Sequence, residues 1–147
     1  MDYTALASTD SVTKTADALR LHNFEPIVVT SKKEALAKII ELIPAGASVM
    51  NGASRTLEEV GYIEYLKSGT HGWNNLHEAI VTETDPAKQA VLRKQSVISD
   101  FYLGSVHALT ETGELLIASN TGSQLPHLVY TSPNIILVVS TKKIVPT

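Results

Sequence analysis

Two stretches of the sequence gather glycine, hydroxyl and amide groups directly after apolar runs: "MNGASRTLEE", residues 50–59, and "SNTGSQLPH", residues 119–127. In the first, Asn51 and Gly52 leave the apolar "ASVM", and Ser54, Arg55 and Thr56 open a helical pattern. Unpaired N–H groups and the positive dipole end at a helix start suit an anion, Gly52 lets a ligand approach the backbone, and Arg55 offers a bidentate fork. The structural use of the same residues is a cap, Ser54 or Thr56, with Thr56 and Glu59 in capping-box spacing after a plain Asn51-Gly52 turn. In the second stretch, Asn120, Thr121, Gly122, Ser123 and Gln124 follow "LLIA", and "LPHLVY" makes a short helix presenting His127. So many donors can wrap an anion, and they can equally build a turn and a cap.

Glu111, in the acidic-Thr-Gly turn Glu111-Thr112-Gly113, has the chemistry of a base or of a nucleophile toward an acyl group, and also that of a solvated turn residue. His71 and His77 stand at a spacing that matches no helical ligand pair, and no H-E-x-x-H pattern accompanies them, so no metal site is expected. Trp73 and Leu76 read as core or pocket wall. Tyr62, Tyr65, Tyr102 and Tyr130 are too scattered for a base-stacking platform. No motif identifies a cofactor.

The elements that must position these residues alternate. Residues 8–22 read as a short amphipathic helix, "FEPIVVT" as a strand, and residues 31–46 as a helix with Ser31 and Glu34 in capping-box spacing. "ASVMN" then reads as a buried strand and residues 54–69 as a helix with Leu57, Val60, Ile63 and Leu66 on one face. This β-α-β-α order predicts an α/β fold, a mostly parallel sheet with flanking helices. Asp85-Pro86 marks the start of a further helix running through "AKQAVLRKQSVISDF". "YLGSVHALT" and "ELLIAS", joined by "ETG", predict an antiparallel hairpin, and "NIILVVS" a final buried strand.

With 147 residues the chain is expected to form a single domain, burying on the order of 70% of its unfolded surface. Its 44% hydrophobic and 18% charged residues, with a mean hydropathy of +0.07, are those of a folding chain rather than a disordered one. A net charge of −3 without any basic run beyond Lys32-Lys33 and Lys142-Lys143 argues against nucleic acid as a partner. The absence of cysteine excludes disulfides, thiolate catalysis and a thiolate-held metal or iron–sulfur centre built by this chain alone, and fits a reducing cytoplasm. "MDYTALASTD" has no signal-peptide core and no run approaches the roughly 18 apolar residues of a spanning helix, so a cytosolic protein without membrane insertion is expected.

Taken together, "VMNGASRTLEEVGYIEYL", "HGWNNLHEAI" and "KQAVLRKQSVISDFYLGSVHALTETGELLIASNTGSQLPHLVYTSPNIILVV" resemble the LUD-domain family, the group that includes lactate-utilisation protein C. The resemblance runs from about Ala47 onward, with the Glu111-Thr112-Gly113 turn and the strand Pro133 to Val139 as its most specific elements, and the N-terminal third carries little of it. It implies a fold of the NagB/RpiA/CoA-transferase-like type, whose members bind sugar phosphates, CoA esters or folates through Gly-rich strand-to-helix loops. On that analogy Asn51, Gly52, Ser54 and Arg55 form one ligand loop and Gly122, Ser123 and Gln124 the other, while Glu111 is the candidate for the glutamate nucleophile of the CoA transferases. It further implies a component of lactate oxidation whose iron–sulfur chemistry belongs to partner subunits. Family members usually continue past the final strand, so a domain shortened at its C-terminus is expected.

Three functions compete at this point. The first is an anion-binding or accessory component of lactate or other organic-acid oxidation, its pocket between the 51–56 and 120–127 loops. The second is an acyl- or phosphosugar-converting enzyme using Glu111, and the third a module that only docks to an electron-transfer partner. An uncovered last strand also makes a homo-oligomer an expectation.

Overall fold

A computed structural model describes residues 4–146; the expected chain end at Thr147 and the first three residues of "MDYTALASTD" lie outside them. Local chemistry sets the helix starts. Helix α1, Thr9–Leu21, is capped by Ser8, and α2, Lys32–Leu42, by Ser31, whose hydroxyl accepts from Glu34 N. The Glu34 carboxylate in turn accepts from Thr30 N at 2.8 Å, so the expected capping box forms with its return bond one residue earlier. Strand β1, Ser48–Asn51, then leads to α3, Arg55–Glu59, and α4, Tyr62–Lys67. One continuous helix was expected over 54–69; Gly61, with φ 86°, breaks it, a left-handed conformation that costs glycine little.

Strand β2, Asn74–Asn75, precedes α5, Leu76–Thr82, and α6, Pro86–Gln95, follows with Asp85 accepting from Ala87 N and Lys88 N as its sequence predicts, although the helix stops at Gln95 and does not run through to Phe101. Helix α5 falls in the His- and Asn-rich middle where the sequence gives little periodicity, and Asn75 caps it. Strand β3, Phe101–Gly104, comes next, then β4, Ala108–Thr110, β5, Leu115–Leu116, β6, Asn134–Leu137, and β7, Ile144–Val145. Strands β2, β1, β3 and β6 form a parallel sheet in that order; β5, β4 and β7 form a second sheet in which β4 and β5 are antiparallel. The mixed α/β architecture with a parallel sheet and flanking helices is therefore as the alternation predicts. The expected run 102–110 divides between the two sheets, the chain turning at residues 105–107.

Two expected strands differ. "FEPIVVT" is unpaired over residues 24–29, with Phe24, Ile27 and Val28 exposed; Pro26 supplies no N–H to a ladder. "NIILVVS" is not a buried central strand. Only Asn134–Leu137 pairs, at the end of the sheet order, with Ile135 exposed. The core instead gathers Ile39 and Ile43 from the α2 segment, Val49, Leu57, Tyr62, Leu66, Trp73 and Leu103. Trp73 is core, as one of its two expected roles had it, its indole N–H donating to Ile43 O at 3.1 Å.

Candidate functional site

The carboxyl ends of β1 and β3 lie side by side, Asn51 opposite Leu103. From β1 the chain goes on to β2 on one flank, and from β3 it eventually reaches β6 on the other. Connections that diverge in this way open a crevice at the strand ends, the usual ligand position in open parallel sheets. The loop after β1 contributes Gly52, Ser54 and Thr56, and the chain after β3 contributes Ser105.

Tyr102, on β3, joins the two sequence-predicted loops. Its hydroxyl donates to Gln124 Oε1 at 3.2 Å, and a Cβ built on Gly52 would stand 2.5 Å from that hydroxyl and 3.1 Å from Gln124 Oε1. Gly52 is thus required by close approach. Burial pushes the Tyr102 phenol up to about 12, against the lowering pull of the Gly52 N–H, so it remains a neutral donor. Its ring stacks on the His127 imidazole at 4.4 Å between centroids, 17° from parallel. Gln124 is fixed from its other end, Nε2 donating to Ala118 O at 2.9 Å.

The remaining loop residues have visible occupations. Gly122, with φ 73°, donates its N–H to Ser119 Oγ at 3.0 Å, and Thr121 Oγ1 donates to Ser123 Oγ at 2.9 Å, so this segment is a self-bonded turn. Asn120, Thr121 and Ser123 are exposed on it. The expected short helix around His127 is a single wide turn, His127–Thr131, and the histidine is buried, 2% exposed, with Nδ1 3.0 Å from Ser132 Oγ. Burial holds its pKa below the ordinary histidine value.

In the first loop Ser54 is the cap of α3, accepting from Leu57 N at 3.3 Å, so the alternative cap, Thr56 with Glu59, is not used. Arg55 extends into solvent, its side chain 90% exposed, with Nε 3.4 Å from Glu59. Asn51 is 3% exposed and its Oδ1, at the end of β1, is buried without a hydrogen-bond partner. Thr56 faces different company: its hydroxyl accepts from Lys143 Nζ at 2.9 Å. Lys143 also donates to Ser105 Oγ at 2.9 Å and to Val106 O at 2.8 Å. Sequence reasoning weighed Tyr102 only as a base-stacking residue and Lys143 only as half of a basic pair, and it passed over Ser105. The small residues Gly104-Ser105 ending an apolar run were a usable signal, but nothing in "STKKIV" separates Lys143 from Lys142.

Glu111 lies elsewhere, in the β4–β5 turn against α1. Ser11 Oγ donates to its Oε1 at 2.6 Å and Lys14 Nζ sits 2.9 Å from Oε2. The Lys14 and Ser11 hydrogen bonds hold the Glu111 carboxyl below the usual range. Two surface depressions are lined by this region, with Ser8, Ser11 and Glu111 common to both, and neither includes residues of the 51–56 or 120–127 loops. His71 Nδ1 accepts from Trp73 N at 2.9 Å, and among the described residues no group of three or more His, Cys, Asp or Glu could hold a metal ion. No helix among them is long and apolar enough to cross a membrane.

The LUD domain sequence model matches residues 12–147, so the match starts well before Ala47 and takes in α2, which supplies Ile39 and Ile43 to the core. No curated protein and no solved structure matches the chain. The chain belongs to the LUD-domain family.

Proposed function

We infer that this LUD-domain protein binds a small anionic metabolite at the carboxyl edge of its parallel sheet, between the 51–56 and 120–127 loops. It would do so in the cytoplasm as a ligand-binding or accessory component of lactate or related organic-acid oxidation. A chain without cysteine cannot itself build a thiolate-held iron–sulfur centre, so the redox chemistry of such a system would lie in partner subunits. The observation that carries the reading is the approach of Gly52 to Tyr102 and Gln124, which links the two loops across the crevice. Turn-forming residues alone do not require that approach.

Enzymatic use of Glu111 has weaker support. A carboxylate with a lowered pKa is a poor base, and its oxygens already accept from Ser11 and Lys14. Thermal unfolding in the presence of lactate, pyruvate, phosphate, sugar phosphates, CoA esters and folates tests the binding reading. A ligand at 100 times its Kd adds about 2.7 kcal/mol, a midpoint rise of roughly 5 to 10 °C at this size. A rise with one ligand class that is lost in Gln124→Ala is the expected outcome. No rise with any of them would overturn the reading.

A further inference from the structure

Lys143 is unlike the paired lysines of this chain. Lys14, Lys32, Lys38 and Lys67 each meet a carboxylate, whereas among the described residues none comes within salt-bridge distance of Lys143 Nζ. Its three N–H groups go instead to neutral oxygens: Thr56 Oγ1, Ser105 Oγ and Val106 O. Burial lowers its pKa, with Glu59 opposing at longer range. Glu59 is itself shared, with Lys32 Nζ and Arg55 Nε each 3.4 Å from its carboxylate. Lys143, half-buried at the carboxyl ends of β1 and β3, is therefore left without a carboxylate of its own.

The hydroxyls give that charge a direction. Thr56 Oγ1 accepts from Lys143 and, at 3.4 Å, from Ser105 Oγ. With two donors pointing at its oxygen, the Thr56 proton must be given to something else, and among the described residues no acceptor takes it. A cluster with a cation that has no carboxylate partner and one uncommitted O–H suits an acceptor carrying negative charge. We propose that Lys143 and Thr56 are the anion-recognising pair of this site, Thr56 donating to a small carboxylate and Lys143 balancing its single charge. This rests on the binding reading above and narrows its ligand class. A phosphate dianion would need a second cation; Arg55, next to Thr56 in sequence, is turned to solvent beside Glu59, and Lys142, next to Lys143, is exposed.

Binding of lactate, its uncharged analogue lactamide, and inorganic phosphate to the full chain tests this by calorimetry, with Lys143→Met, Lys143→Arg, Thr56→Val and Gly52→Ala as variants. Lactate is expected to bind at least tenfold more tightly than lactamide. Lys143→Met should weaken lactate roughly ten- to a hundredfold and erase that preference, and Lys143→Arg should restore part of it. A purely structural lysine would leave the lactate-to-lactamide ratio unchanged. If Lys143→Met does not fold, Thr56→Val decides: it should weaken lactate severalfold, and unchanged binding overturns the proposal. Phosphate binding as tightly as lactate at about pH 8.5, where the dianion predominates, overturns the single-charge assignment. Lactate binding lost in Gly52→Ala but kept in Lys143→Met leaves the crevice standing and removes the pair. Loss in Lys143→Met with Gly52→Ala unaffected keeps the lysine's part in binding and overturns its placement in a site shaped by Gly52. No binding of any probe overturns both.

Discussion

Lys14 and Lys143 each anchor a hydrogen-bonded cluster between distant parts of the chain, and the clusters differ in charge balance. Lys14, its side chain 63% exposed, meets the Glu111 carboxylate, and with Ser11 it ties α1 to the β4–β5 turn. An exposed pair of that kind is screened by solvent and closes its own account of charge and donors. Lys143, less exposed, meets two hydroxyls and a carbonyl, which solvate an ammonium without neutralising it. The carboxylate is what makes the first region a clasp, and the missing carboxylate is what suits the second, on our proposal, to an anion. Of the two regions, it is the one holding the familiar catalytic residue type, Glu111, that has least chemistry to spare.

Substitution at Gly52 should separate the regions most sharply. Any side chain there meets the Tyr102 hydroxyl, and that ring is held by its stack on buried His127. Gly52→Ala is expected to cost about 1–3 kcal/mol in urea unfolding through overpacking, and to abolish anion binding with it. An unchanged unfolding midpoint would mean that the ring yields and the loops are not locked together.

A smaller effect should appear with pH. The folded pKa of His127 lies below its unfolded value of about 6.5, so the unfolded chain takes up the proton first. Stability contributed by neutral His127 is full above that unfolded value and falls as pH drops through it toward the folded one. Replacing the residue by Phe should remove this share of the acid loss, read as a flatter dependence of urea midpoint on pH. If the two curves ran parallel, His127 would not be the buried neutral group that supports Tyr102.

The smallest change belongs to the clasp. The Glu111 pKa is lowered by Lys14 and Ser11, so its stabilising share is present above the ordinary carboxylate pKa and disappears as pH falls through the lowered one. Glu111→Gln should therefore cost a little stability at neutral pH, less at acid pH and less at high salt, while leaving the response to anions intact. Loss of that response would break the contrast between the regions and return Glu111 to the functional site.

How far the sequence carried depended on the range of the interactions involved. Ser31 and Asp85 cap their helices because capping needs only a side chain and the backbone two or three residues on. The parallel β-α alternation and the core roles of Leu57, Leu66 and Trp73 follow likewise from periodicity and burial. "FEPIVVT" misled because β-branched residues describe a chain that can be extended, while pairing needs a neighbour, and Pro26 offers that neighbour no N–H.

By itself, the sequence determined where α1, α2, α3 and α6 begin, that a parallel sheet would form, and that glycine and hydroxyl groups would follow β1 at its carboxyl end. It could not decide which of those groups would be spent on capping and turning and which would stay available. That was settled in three dimensions. Ser54 and Ser119 were taken by local backbone N–H groups, and Gly52 was brought to Tyr102. Thr56 acquired a lysine 87 residues away in the chain. Hydrogen-bond donors and charges are assigned by distance in space, and at that separation no spacing rule in the sequence can report it.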